Sequence, residues 1–456
     1  MISYPMALCM FVVFFSAAAA SAYSFHPSYY PNSNVIYRDV AVIGGGAAGT
    51  YAAIRLGDLG QSVVLIEKKA VLGGQTEAYK DPTTGNIIDY GVENFQNTTL
   101  VRDFFARFNI PLVPYTSDAK GMQFADFSSG VVYPNFTLPA ADWSAYIAQL
   151  DKYPYLAYTW ELPDPVPEDL LLPFGEFVSK YSLGNEAYLL GTYGAGNGAV
   201  LNQTTVYVLK SVDKAYIEGL QGGDVMTEHD NHAIYDKAQA ALGSNALVSS
   251  TVVAASRNAS GIRLVVQSAS GDLKLIVAKK LLVAMPQIAA NMQPLGMDSS
   301  ESSVFGQFTY NALYVGLVTN TGVADFVDTL GISLNTESYN LPGLPGLVYL
   351  QSTGVAGVFR IWYSSAHEVA EADVKSATLA AIQRLTGKKA QFLVFGSHTP
   401  YQLAVSPAAI RQGFYKSLYA LQGHRKTWYT GAAFLAHHTA SLWNYTESII
   451  TDLVDD

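Results

Sequence analysis

Cysteine is almost missing. The one cysteine among 456 residues is Cys9, inside an apolar N-terminal run. The chain beyond it therefore has no disulfide, no thiol nucleophile and no cysteinyl bond to a cofactor. Charge is also sparse: Asp, Glu, Lys and Arg make up 14% of the residues, with a net charge of −10. The 27 basic residues are scattered rather than clustered in a stripe, which argues against nucleic acid and acidic membrane surfaces as partners. No His-Glu-x-x-His, Gly-x-Ser-x-Gly or P-loop motif occurs, so those metal, acyl-transfer and phosphate chemistries lack their usual marks. Internal repeats and low-complexity tracts are absent.

No Asp, Glu, Lys or Arg precedes Arg38. Residues 6–20 are apolar and end in small side chains, and Ala20-Ser21-Ala22 fits a cleavage site. This is the pattern of a secretory signal peptide over 1–22, with cleavage near Tyr23. The run is short for a membrane span. The expectation is a protein of the secretory lumen or the exterior, with no stable membrane span after cleavage. Sequons at Asn97, Asn135, Asn202, Asn258 and Asn444 fit that route. Asn444 lies in an apolar segment and is expected to be buried and unmodified.

Half of the residues are hydrophobic, enough for a large core and more than one domain. The most specific local pattern is Val40-Ala41-Val42-Ile43 followed by Gly44-x-Gly46-x-x-Gly49. The apolar run suits a buried parallel strand. Gly44 allows a tight turn, Gly46 lets backbone approach a pyrophosphate, and Gly49 lets the next helix pack closely. The helix is predicted over about 47–59, with its N-terminal amides toward phosphate. Ser62 to Ile66 reads as a second strand, and Glu67 then falls where a carboxylate accepts ribose hydroxyls and repels a 2′-phosphate.

Beyond this unit come a glycine pair, Gly73-Gly74, and a turn at Asp81-Pro82-Thr83-Thr84-Gly85 between short strands. Residues 120–225 are aromatic and Pro-rich with helical stretches, and Gly194-Ala195-Gly196-Asn197-Gly198 reads as a flexible turn. Three strands follow at about 247–256, 261–268 and 273–284. Later strands fall near 310–318 and 357–363, and a helix over about 374–385 places Val374, Thr378, Ile382 and Leu385 on one face, with Gly387 as its cap. The order implies two interleaved domains. One comprises residues 38–120, 225–290 and 395–456; the other comprises 121–224 and 291–394, and 23–37 forms an N-terminal arm.

Taken together, these marks resemble the flavoproteins of the amine oxidase clan, and more narrowly the fungal oxidoreductases related to β-cyclopiazonate dehydrogenase. The resemblance runs from Gly44-x-Gly46-x-x-Gly49 and Glu67 through Leu72-Gly73-Gly74, Asp89-Tyr90-Gly91-Val92, Tyr235-Asp236-Lys237-Ala238 and Ala284-Met285-Pro286. It ends at Trp428-Tyr429-Thr430-Gly431-Ala432 and Ser441-Leu442-Trp443. It implies an α/β fold of the glutathione reductase and amine oxidase type, with a Rossmann-type FAD-binding domain interleaved with an α+β substrate domain. It implies a non-covalent FAD. Gly44, Gly46, Ala47, Ala48 and Gly49 would line the pyrophosphate, with Glu67 and Lys68 at the adenosine ribose and Val252 at the adenine edge. Gly73, Gly74 and Gln75 would flank the ribityl chain, Gly431 and Ala432 its phosphate, and Thr439 and Ala440 the pyrimidine ring. Many amine oxidases carry a Lys on the strand after the Ala-x-Pro segment; Phe308 to Tyr314 has none, which speaks against efficient oxygen-dependent amine oxidation.

The implied reaction is dehydrogenation of a small, largely apolar metabolite by hydride transfer to flavin N5. A redox-neutral FAD isomerase and a flavin-binding protein without catalysis are the alternatives. Tyr310, His438 and Tyr429 are the candidates for proton transfer, with His437 and Tyr401 beside them. Trp428 and Tyr429 are expected to wall the pocket. His229-Asp230-Asn231-His232 has metal-ligand residue types without ligand spacing, and reads as a loop and helix cap with no metal.

Overall fold

The computed structural model describes residues 23–456 apart from 229 and 335–337. The signal peptide read at 1–22, and His229, lie outside the described residues. Val40, Ala41 and Val42 have no exposed surface, as expected for a strand covered on both faces. They belong to the strand Val35–Ile43, which pairs in parallel with Val63–Ile66 on one side and Leu273–Val283 on the other. Ala246–Leu247 extends one side; antiparallel Gly261–Ser268 and Ser250–Asn258 extend the other. Thr427–Tyr429 joins in parallel at the C-terminal end of Leu273–Val283. Three distant chain segments thus build one sheet.

The helix Ala47–Asp58 follows the first strand and packs against the final helix, Thr439–Asp455. Tyr51 stacks on Trp443 with ring centroids 5.1 Å apart, and Trp443 Nε1 donates to the Ala47 carbonyl at 3.0 Å. Glu447 accepts from the Tyr51 hydroxyl at 2.6 Å and from Arg55 Nε at 2.7 Å. These contacts pin the end of the chain to the glycine turn.

A second sheet has the order Gln391–Ser397, Thr309–Thr319, Val358–Ser365, Gly346–Ser352, Val327–Gly331, Gly121–Asp126, Val131–Val132, with Tyr401–Ala404 also paired to Thr309–Thr319. The helix Glu371–Thr386 buries Val374, Thr378, Ala381 and Ile382 and ends at Gly387, whose φ of 72° suits glycine at a helix C-terminus.

Several expectations need correction. Val35 to Tyr37 belong to the first strand rather than to an arm. Strand Gln391–Ser397 runs through position 395, so ladder pairing carries the second sheet past the boundary drawn there. Tyr146, Phe174, Tyr207 and Leu209, from the middle of 121–224, share one apolar core with the nucleotide-side sheet. The glycine-rich stretch at 194–198 is no flexible turn. Ala195, Gly196 and Asn197 are buried in a short 3-10 helix, where Ser364 Oγ donates to the Ala195 carbonyl at 2.5 Å. Asn444 is exposed, as are the other four sequon asparagines, because it lies on the outer face of the last helix.

The strand Thr427–Tyr429 is anchored by a buried ion pair. Arg257 and Glu301 side chains are fully buried, with Nη1 to Oε1 at 2.6 Å and Nη2 to Oε2 at 2.8 Å. The Tyr429 hydroxyl donates to Glu301 at 2.7 Å. Removing one partner strands the other charge, at a cost of about 3–5 kcal/mol. Glu301→Ala is expected to lower stability by that amount, read from the urea denaturation midpoint, with Arg257→Ala similar.

Candidate active site

The C-terminal ends of the parallel strands open onto a cavity of about 420 Å³, the usual place for a ligand in such a sheet. Gly44, Gly46, Ala47, Ala48, Glu67, Lys68, Gly73, Gly74, Gln75, Val252, Gly431, Ala432 and Thr439 all line it. Gly49 and Ala440 do not. Gly49 faces inward, where a Cβ would lie 1.8 Å from the Gly44 carbonyl oxygen; it packs the helix onto the turn. Ala440 is buried within the first turn of the last helix.

The glycine turn is held from two sides. Glu67 Oε2 accepts the Gly45 amide at 2.6 Å, and the Gly73 amide donates to the Gly45 carbonyl at 2.8 Å. Gly74 has φ +61°, and a Cβ there would lie 2.8 Å from Gly46 Cα. The two loops therefore meet backbone to backbone. A Cβ on Gly46 meets nothing nearer than Gly74 Cα at 3.7 Å, so the space in front of Gly46 is a cradle that a side chain would fill. His232 supports this loop from behind: its Nε2 lies 2.9 Å from the Leu72 carbonyl oxygen. Fully buried Asn231 donates to the carbonyls of Val92 and Glu93. No cluster of three metal-ligating groups occurs among the described residues.

The cavity is also lined by Val92, Ser397, His398, Thr399, Pro400, Leu403, His437 and Leu442. The His437 ring stacks on Tyr401 at 3.8 Å, and its Nε2 accepts the Gln402 amide at 3.0 Å. Burial holds this imidazole down at about 3, so it is neutral and its proton sits on Nδ1. Thr399 Oγ1 is sealed without a protein partner.

The three residues expected to move protons do not reach the cavity. Tyr310 starts its strand outside the site, with its hydroxyl on Glu368 at 2.9 Å. Tyr429 is turned into the core by its bond to Glu301. His438 is half-buried outside the lining and stacks on Tyr216 at 5.5 Å. Trp428 and Tyr429 form no wall; Trp428 is buried, with Lys280 Nζ 5.7 Å from its ring centroid. Lys69, Thr76 and the stretch from Ser397 to Pro400 also line the cavity, although no sequence motif marks them. The one available signal was a histidine at the end of an apolar strand.

The two-layered α/β architecture and a cleft over the parallel strand ends define a dinucleotide-dependent enzyme. A family model described as an NAD(P)-binding Rossmann-like domain matches residues 42–108. The chain is 43% identical over 450 residues to the FAD-dependent oxidoreductase pigF of Monascus ruber, covering 95% of each chain. It is 31% identical over 433 residues to β-cyclopiazonate dehydrogenase of Aspergillus oryzae, covering 92% of this chain and 94% of that protein. Among solved structures, the conjugated-linoleic-acid-producing fatty acid isomerase from P. acnes superposes with a TM-score of 0.72 at 16% identity, covering 91% and 98% of the two chains. A putrescine oxidase variant gives a TM-score of 0.66 at 14% identity, covering 92% and 99%. The chain belongs to the family of FAD-dependent oxidoreductases that includes β-cyclopiazonate dehydrogenase, and it shares its fold with amine oxidases. It is an enzyme, and its cofactor is FAD.

The residues present fit that cofactor. The Gly46 cradle is free of side chains, and an acid stands at Glu67. Gly46→Val is expected to leave a folded protein whose flavin absorbance falls below about a tenth of wild type, a loss of at least about 1.4 kcal/mol in binding. Absorbance near 450 nm and a thermal melt check this together.

Proposed function

We propose that the enzyme dehydrogenates a small, largely apolar metabolite at the far end of the cavity from Glu67. The observation that carries this reading is the lining there. Val92, Pro400, Leu403 and Leu442 are apolar, Ser397, His398, Thr399 and His437 add polar groups without a carboxylate, and the Asp, Glu, Lys and Arg residues of the whole lining are Glu67, Lys68 and Lys69. A cationic amine would lose its hydration there without gaining a carboxylate. The missing Lys between Phe308 and Tyr314 agrees with a reaction other than amine oxidation. The relative named as a dehydrogenase supports the reaction type.

FAD, when bound, supplies a two-electron acceptor. The chain's own groups then orient both partners. Gly46 and Gly74 admit the pyrophosphate, and Glu67 holds the ribose. Val252 lies by the adenine, while Gly73, Gln75, Gly431 and Ala432 hold the middle of the cofactor, which no cysteine tethers. Thr439, at the first turn of the last helix, brings amide dipoles toward the ring end. The apolar lining excludes water.

A redox-neutral double-bond isomerase is the second reading, supported by the fold shared with a fatty acid isomerase. Anaerobic mixing with the substrate separates the two. Lasting loss of the 450 nm band is expected; product formed with the band intact establishes isomerisation instead.

We also propose that the chain enters the secretory route and loses its first 22 residues. Support comes from the apolar run before Arg38 and from the exposure of all five sequon asparagines. No described helix is long and apolar enough to cross a membrane. N-terminal sequencing of protein from the native host is expected to start near Tyr23, and glycosidase treatment to lower its mass. A mature protein that keeps Met1 contradicts the proposal.

A further inference from the structure

We infer that His398 is the proton-accepting residue of the reaction, held in its working tautomer by Glu77 and, through Glu77, by Lys69. The inference rests on the reading above that substrate and flavin meet at this end of the cavity.

His398 lines the cavity and is itself largely buried. Its Nε2 lies 3.1 Å from Glu77 Oε2, and the other carboxylate oxygen, Oε1, accepts from Lys69 Nζ at 2.7 Å. Lys69 also donates to the Gly74 carbonyl at 2.9 Å, so the row of groups is fastened to the cofactor cradle. Gln75 Nε2 donates to the His398 carbonyl at 3.3 Å, and the His398 amide donates to Leu313 at 2.9 Å. The imidazole is thereby fixed through both its backbone and its ring.

The bonding decides which nitrogen works. Burial opposes ionisation of Glu77, but the bonds from His398 and Lys69 outweigh it and hold the carboxyl below its ordinary value. An ionised carboxylate accepts only, so Nε2 carries a proton, and in the neutral ring Nδ1 carries the lone pair. Among the described residues Nδ1 has no hydrogen-bond partner, and it is not among the sealed, unpartnered atoms. It therefore keeps open surface, and the cavity is the space that His398 lines. The other titratable groups facing this cluster are His437 across the cavity and Tyr90 beside Glu77.

A dehydrogenation needs such an atom. The substrate C–H bond breaks and its hydrogen leaves with the electron pair to the flavin. The neighbouring X–H bond, with X carbon, nitrogen or oxygen, breaks and its proton goes to Nδ1, while its electron pair forms C=X. The substrate is oxidised by two electrons, the flavin is reduced by two, and the imidazole becomes an imidazolium paired with Glu77. The cation then faces the charge gained in the cavity, which raises its affinity for the proton.

Photoreduction of the purified holoprotein tests this without any substrate. Proton uptake is followed with an indicator dye in weakly buffered solution near neutral pH. H398Q, which retains a donor for Glu77 but cannot gain a proton, is expected to take up about one proton fewer per flavin than wild type. Equal uptake in the two proteins overturns the inference. If H398Q does not retain flavin, E77Q decides: uptake below wild type supports the inference and equal uptake overturns it. A wild-type protein that stays colourless with added FAD defeats the functional reading instead, so the two failures are distinguishable.

Discussion

The rest of the site depends on one close approach, the meeting of Gly46 and Gly74 backbone to backbone. A Cβ on Gly74 would sit 2.8 Å from Gly46 Cα, so no side chain fits between the loops. Neither loop holds this position alone. The Gly45 amide and carbonyl are taken by Glu67 and by Gly73, and the Leu72 carbonyl is met by His232. The strand ends supply the turn, and the second glycine pair closes it into a cradle. Lys69 then carries the constraint onward, because its ammonium bonds both Gly74 and Glu77. The cofactor cradle and the residues at the opposite end of the cavity are thus mechanically one unit.

The last third of the chain reaches the same place by a different device. Thr427–Tyr429 adds only three residues to the sheet, too few to hold Gly431 and Ala432 against the cavity by ladder bonds alone. The deficit is met by Arg257 and Glu301, which clamp the Tyr429 hydroxyl in the core, and by Gln422, which bonds both the amide and the carbonyl of Tyr429. Buried ionic groups of this kind contribute more to fixing one arrangement than to net stability. Here the fixed arrangement is the approach of a third chain segment to a cavity already lined by two others.

The glycine turn that lines the cavity was legible because its requirements are local. Gly44, Gly46 and Glu67 sit at set distances along one strand–turn–helix–strand unit, and backbone geometry alone demands those residue types. The long helix ending at Gly387 was legible for the same reason. The far end of the cavity was not. Tyr429 and His398 are both polar aromatic residues at the end of a strand, and nothing local separates them. What separates them is a partner more than a hundred residues away: Glu301 draws Tyr429 into the core, whereas Glu77 holds His398 at the cavity wall. The domain boundary near 395 failed likewise, since ladder pairing to Thr309–Thr319 carries no signature within Gln391–Ser397.

Two imidazoles at one end of an apolar cavity are ordinarily interchangeable, and here their partners make them opposites. His437 receives a backbone amide on Nε2, so Nδ1 bears the hydrogen; burial keeps the ring neutral. His398 faces a carboxylate with Nε2, so in the neutral ring Nδ1 bears the lone pair. One ring therefore offers a donor and the other, in its neutral form, an acceptor. The asymmetry needs only a main-chain amide on one side and a buried acid on the other. It also explains why Glu77 stays out of the lining: a carboxylate open to the cavity would repel the charge that two-electron reduction brings there, whereas one shielded behind an imidazole stabilises the proton that accompanies it.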